Sequence, residues 1–192
     1  MLQAHGVSLS PDGYANEISG RSNVEIAGRL LPHLEVSRAE QVWRGKEARF
    51  RELATGLLVP VGLKELVAWA AAADVRLGVV TNAPRANATH IIAELGLQAA
   101  FECVVAVEDV THPKPDPEPY LLAAQRLDVA PTCCLAFEDS PSGIRAAVAA
   151  RIRVVGLSTG HLPEELSEAG ATLVVPDFAD PRLLTLLEEW ST

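Results

Sequence analysis

Three cysteines in 192 residues are too few and too odd in number for a disulfide framework. Cys103, Cys133 and Cys134 all fall in apolar runs, so they read as core thiols of a reducing compartment rather than as disulfides or a metal site. No apolar stretch approaches the length of a membrane span, and no basic-then-apolar signal peptide opens the chain. The expectation is a cytoplasmic protein without a membrane partner. A basic excess is also lacking, because the formal net charge is −9. Residues 1–57 are balanced at seven bases and seven acids, so residues 58–192, with nine bases and eighteen acids, carry all of it. An acidic main body excludes a nucleic-acid surface, which would need a basic stripe. Internal repeats and low-complexity segments are missing as well.

What is present suits a globular α/β protein. The content of 48% hydrophobic and 21% charged residues is ordinary, and the length allows one domain or a domain with a small accessory lobe. Residues 1–57 read as all helix. Leu2–His5 before Gly6 resembles a last helical turn. Ser10-Pro11-Asp12 starts a helix carrying Tyr14 and Ile18, and a second short helix runs to Leu31. Ser37-Arg38-Ala39-Glu40 is a capping box opening a long helix with Val42, Trp43, Phe50 and Leu53 as its buried stripe.

From residue 58 onward, five apolar runs alternate with helical stretches: Val75–Thr81, Glu102–Val107, Thr132–Phe137, Ile152–Leu157 and Ala171–Pro176. Such near-continuous runs suit strands covered on both faces. The helices between them often begin with an N-cap followed by proline, as in Asp116-Pro117, Ser140-Pro141 and Asp180-Pro181. Alternating strands and helices imply a doubly wound parallel, Rossmann-like sheet, giving a helical region 1–57 and an α/β core 58–192.

Ligands bind such a sheet at the carboxyl ends of its strands. Three groups fall there. Thr81-Asn82 end the first run. Lys114 follows the second, in the loop Thr111-His112-Pro113-Lys114-Pro115, and Glu138-Asp139 end the third. Each has an ordinary reading: a turn residue, a solvated loop lysine, and an acidic turn that favours the next helix N-terminus. Together they suit phosphate with Mg²⁺, which is held by one or two carboxylates plus phosphate oxygens. Thr81 and the backbone amides would donate to phosphate, Lys114 would neutralise developing charge, and the carboxylates would hold the metal. The five histidines form no ligand spacing, and only His112 lies near this group. In the first region Arg38, Arg44, Lys46, Arg49 and Arg51 make the long helix basic. This is either a solvated face or a surface that screens an anionic substrate.

Val79-Val80-Thr81-Asn82, His112-Pro113-Lys114-Pro115-Asp116-Pro117-Glu118-Pro119-Tyr120 and Phe137-Glu138-Asp139-Ser140-Pro141-Ser142-Gly143 resemble the second, third and fourth motifs of the haloacid dehalogenase superfamily. The nearest branch is the beta-phosphoglucomutase-like and phosphoglycolate-phosphatase-like group, and residues 1–57 resemble most of its helical cap. The resemblance implies a Mg²⁺-dependent phosphate-monoester hydrolase acting on a small phosphorylated metabolite, with a sugar-phosphate mutase as the alternative. It assigns Thr81, Asn82 and Lys114 to phosphate, Lys114 to catalysis, Glu138 and Asp139 to the metal and Arg21 of the cap to the substrate's far end. A monomer or weak homodimer is expected.

The family's nucleophile and acid/base are two Asp residues at the end of a first strand that precedes the cap, and this sequence shows no such motif. Asp12-Gly13 has no preceding strand, Asp116-Pro117-Glu118 begins a helix, and Asp177 and Asp180 flank the last helix. The expectation is therefore an inactive chain, or a non-catalytic phosphate- and metal-binding fragment or pseudoenzyme. The sheet's first, central strand would be missing between Val75–Thr81 and Thr132–Phe137. That gap would be closed by direct pairing or by a strand recruited from another molecule, or the chain would fold poorly. Smaller departures are Pro113 before the lysine and Arg151 where relatives often have glycine.

Overall fold

A computed structural model describes residues 5–10, 13, 17, 18 and 23–190. Tyr14 and Arg21, singled out in the sequence, lie outside the described residues. The described elements begin with α1 (Asn23–Leu30), α2 (Val36–Leu53) and α3 (Leu63–Ala72). Then come β1 (Gly78–Val80), α4 (Arg85–Glu94), β2 (Cys103–Val105), α5 (Glu118–Arg126) and β3 (Leu135–Glu138). The chain continues through α6 (Pro141–Ala149), β4 (Arg153–Leu157), α7 (Pro163–Glu168), β5 (Leu173–Val175) and α8 (Pro181–Trp190).

All observed strand pairs are parallel, but the strands form two sheets, β1-β2 and β3-β4-β5. Among the described residues no strand lies between β1 and β3, and those two are not paired with each other. β4 is buried along nearly its whole length, as a strand covered on both faces must be. On one face Val154 packs with Ile144, Ala147 and Leu166. On the other, Val155 and Leu157 pack with Leu183, Leu186 and Leu187, joined by Leu66 and Trp69. The helical region has its own cluster, in which Ile26 and Leu31 meet Val42 and Trp43.

The strands are shorter than their apolar runs. Val75 closes the turn after α3, its N–H donating to Ala70 O. The third run starts as a 3-10 turn at Pro131–Cys133, so Cys133 is exposed rather than a core thiol, while Cys103 and Cys134 are half-buried and all three are free. Glu138 belongs to the strand and not to the turn after it. The capping box at Ser37 does not form. Glu35 takes the N-cap position, its carbonyl accepting from Arg38 and Ala39. Phe50 and Leu53 are 43% and 64% exposed. The last turns of α2 meet α4 through a polar contact, Arg51 Nη1 donating to Asn87 Oδ1 (2.7 Å).

Two backbone positions carry information about the fold. Gly62 has φ +79°, and a Cβ there would lie 2.4 Å from Ala179 N. This close approach joins the start of α3 to the loop before α8, where Phe178 N donates to Val61 O. Arg151 follows α6 with φ 62°, the left-handed conformation that glycine adopts without strain. Its side chain is exposed. Arg151→Gly should therefore stabilise the chain by about 0.5–1 kcal/mol, measured by urea unfolding. Unchanged or lower stability would contradict the strain.

Candidate functional site

The site begins where β1 and β2 end. Thr81 N donates to Val105 O (2.9 Å), continuing the ladder by one residue. The chain then turns, and Thr81 Oγ1 accepts from Ala83 N (3.0 Å), which leaves its hydroxyl proton directed by whatever acceptor approaches. The Asn82 side chain is buried and clamps the lysine loop at both backbone groups. Its Nδ2 donates to Lys114 O (3.0 Å) and its Oδ1 accepts from Lys114 N (2.9 Å). An amide matches one donor and one acceptor of a peptide group, so asparagine fixes the loop where aspartate could not.

Lys114 is 6% exposed. Its ammonium donates to Val80 O (2.9 Å), pairs with Glu138 Oε1, and lies 5.0 Å from the centroid of the Tyr120 ring. Tyr120 OH donates to the same Glu138 oxygen. Burial, followed by the charge of Glu138 and its hydrogen bond, raises the Tyr120 pKa well above its usual value, so the phenol stays a donor. Glu138 reaches this position because residue 143 has no side chain. A Cβ on Gly143 would lie 1.9 Å from Glu138 Oε2. Ser140 caps α6 by accepting from Gly143 N (3.2 Å), which draws the first turn of the helix over the carboxylate. Asp139 is exposed.

Thr81, Asn82, Lys114, Glu138 and Asp139 thus border one cavity of about 340 Å³. Its other wall belongs to the helical region, with Ile18, Asn23, Ile26, Lys46 and Glu47. Glu47 is the hub of that wall and is 7% exposed. It accepts from Asn23 Nδ2 (2.9 Å) and from Asn87 Nδ2 of α4, and pairs with Lys46 (2.6 Å). Burial alone would raise its pKa, but the hydrogen bonds from Lys46 and Asn23 and the Lys46 charge outweigh it, so the carboxyl stays below its usual range.

The donor set at the sheet edge is chemically suited to Mg²⁺, because Glu138 and Asp139 offer hard oxygens and, among the described residues, no thiol or imidazole lines the cavity. Asp116, Asp177 and Asp180 do not border the cavity. His112 does group with acids, contrary to the reading of its spacing: ligand atoms of His112, Asp116 and Glu118 lie within 4.8 Å of one another. They are held by their own hydrogen bonds, including His112 Nδ1 to Glu118 (2.9 Å), at the surface.

Tyr120, Gly143 and the Asn23–Glu47–Asn87 network were not assigned roles from the sequence. Glu47 carried a usable signal, since an acid four residues after Trp43 sits on the buried stripe of α2. Tyr120 and Gly143 act through tertiary proximity that local spacing does not encode.

Residues 3–151 match the family model described as haloacid dehalogenase-like hydrolase. Among curated relatives, the validoxylamine A 7'-phosphate phosphatase of Streptomyces hygroscopicus subsp. limoneus is 43% identical over 99 residues, which is 52% of this chain and 46% of that protein. A phosphoglycolate phosphatase of Nitrosococcus oceani is 36% identical over 168 residues, 84% of this chain and 74% of that protein. The chain spans under half the length of the first three curated relatives it matches. Among solved structures, CbbY from Rhodobacter sphaeroides in complex with phosphate superposes with a TM-score of 0.81 at 28% identity, covering 93% of this chain and 84% of that one.

The Gly143–Glu138 approach makes a direct prediction. Gly143→Ala should expel the Glu138 carboxylate and leave Lys114 buried without its partner, destabilising the chain by about 3–5 kcal/mol in urea unfolding. A loss under about 1 kcal/mol, the range of an ordinary substitution, would show that Glu138 is not confined.

Proposed function

The chain belongs to the haloacid dehalogenase-like hydrolases, and from that premise we propose that its cavity binds a small phosphate monoester together with Mg²⁺. The observation that supports this most is the convergence of Thr81, Lys114 and the Glu138-Asp139 pair, from three separate loops, on one polar cavity beneath the helical region. The relatives' names point the same way, since they are phosphatases of phosphorylated metabolites.

Each residue has a physical task in this reading. The Thr81 hydroxyl and the backbone amides after β1 donate to phosphate oxygens. Asn82 acts through its clamp on the Lys114 backbone and offers its own N–H to the phosphate. Lys114 neutralises charge on the phosphoryl group, and its burial strengthens that interaction relative to water. Glu138 and Asp139 would hold Mg²⁺, which supplies Lewis-acid neutralisation of the phosphate when bound. The helical wall excludes water, and Lys46 and Asn23 present a cation and an amide to the ester's remainder.

Hydrolysis by this family's aspartyl-phosphate route needs a carboxylate nucleophile in line with phosphorus. Of the carboxylates bordering the cavity among the described residues, Glu47 is held by Asn23, Asn87 and Lys46, Glu138 is held by the buried Lys114, and Asp139 is assigned to the metal. We therefore infer that the 192-residue chain binds phosphate without turnover, at rates lower by roughly 10⁴–10⁶ than a complete site.

Calorimetric titration of inorganic phosphate with and without Mg²⁺ tests this reading. Binding should be tighter with Mg²⁺, weakened by Thr81→Val and lost in Lys114→Met, with no phosphate release from generic esters. Phosphate binding indifferent to both substitutions would overturn the site. Phosphate release from generic esters by the wild-type chain would overturn the inferred lack of turnover.

A further inference from the structure

The helical wall of the cavity meets a ligand with an ion pair rather than with a free cation. Lys46 borders the cavity on that side, and its ammonium is already engaged in three directions. It pairs with Glu47 Oε1 (2.6 Å), donates to Asn23 Oδ1 (3.4 Å) and lies 5.5 Å from the centroid of the Trp43 ring. Glu47 is engaged as fully. Its Oε1 also accepts from Asn23 Nδ2 (2.9 Å), and its Oε2 accepts from Asn87 Nδ2. Asn23 closes the ring, since one end of its amide donates to the carboxylate and the other accepts from the ammonium. Asn87 is anchored in turn by Arg51, which donates to its Oδ1 (2.7 Å).

Burial would favour the neutral acid at Glu47, but the hydrogen bonds from Lys46 and Asn23 and the Lys46 charge hold it ionised. The pair therefore carries no net charge. A hydroxyl group can share hydrogen bonds with either member without separating them. A second phosphate or carboxylate has to draw Lys46 away, which strands a buried carboxylate, or lie beside that carboxylate and be repelled by it. The sheet edge offers such a group no relief. Its Lys114 ammonium is likewise paired, with Glu138, and Asp139 adds a further carboxylate to the cavity.

We propose, on the footing of the phosphate site above, that Glu47 is its specificity-determining residue. By keeping Lys46 neutralised, Glu47 selects esters whose remainder is uncharged and hydroxyl-bearing over those that carry a second anionic group. Discrimination of this kind comes from repelling the wrong ligand as much as from attracting the right one. A neutral side chain at position 47 would leave the same ammonium free to grip an anion, so this one residue sets the sign of the preference. Its place on the buried stripe of α2, with Asn87 of α4 on one oxygen and Asn23 of α1 on the other, keeps the carboxylate from swinging away from Lys46.

Calorimetric titration of the full chain at saturating Mg²⁺ tests the proposal with two probes that differ only at the far end, 4-hydroxybutyl phosphate and butane-1,4-diyl bisphosphate. The wild-type chain should bind the hydroxy ester about tenfold more tightly than the bisphosphate. Glu47→Gln, which keeps the size of the side chain, should move the ratio of the two dissociation constants toward the bisphosphate by about tenfold or more. Adding Lys46→Gln should cancel that move, because the freed ammonium is its cause. Equal wild-type binding of the two esters would overturn the proposal. So would a ratio unchanged within about twofold in Glu47→Gln, or a shift that persists in the double variant. A ratio of affinities is insensitive to a general loosening of the site, and the wild-type comparison requires no variant to fold. Inorganic phosphate separates this proposal from the one beneath it. Its failure to bind would remove the phosphate site and the role of Glu47 together, whereas phosphate binding with equal ester affinities overturns the role of Glu47 alone.

Discussion

The Lys114 ammonium holds together parts of the molecule that the strands leave separate. It belongs to the loop after β2, bonds the Val80 carbonyl at the end of β1 and pairs with Glu138 at the end of β3. One side chain thereby bridges both sheets at the carboxyl ends of their strands. The constraint extends outward. Asn82 grips the Lys114 backbone, Tyr120 shares the Glu138 oxygen, and Gly143 leaves the space the carboxylate fills. Two charges removed from water gain little net stability from each other, but stranding either one is costly. The pair therefore acts more as a fixed reference for the site than as a source of stability.

A second polar centre ties the helical region to this reference. Glu47 gathers Asn23 of α1, Lys46 of α2 and Asn87 of α4 around one buried carboxylate. Asn87 lies in the helix that follows the Thr81-Asn82 turn, so the helical wall of the cavity is registered to that turn by side-chain hydrogen bonds. Few apolar contacts are available there, as the exposure of Phe50 and Leu53 shows. Polar registration with thin apolar packing marks this wall as a low-stability part of the fold.

The α/β fold was legible because burial on both faces writes itself into composition. The run Ile152-Arg153-Val154-Val155-Gly156-Leu157 could hardly be anything but a covered strand, and the Ser140-Pro141 start of α6 was fixed by local chemistry. Placement of Thr81, Lys114 and Glu138 at one edge followed from topology alone. Strand ends were less legible, since Val75 and Thr132 are apolar or β-branched yet serve a turn and a 3-10 segment. The capping box at Ser37 failed because the Glu35 carbonyl started the helix earlier. Lateral pairing leaves no periodic trace, so composition and spacing alone could not show that β1 and β3 stand apart. Nor could spacing show that Glu138 answers to Lys114 and Tyr120 before any metal, because those contacts join residues 24 and 18 positions away.

The central claim is that Lys114 and Glu138 are energetically one unit. A double-mutant cycle with Lys114→Met, Glu138→Gln and the double variant, read by urea unfolding, measures this directly. The account predicts that each single substitution costs about 3–5 kcal/mol. The double variant should recover about 2–3 kcal/mol of their sum, since removing both charges strands neither. Additivity within about 0.5 kcal/mol would contradict it, and would mean that the two sheets are held together by something other than this pair.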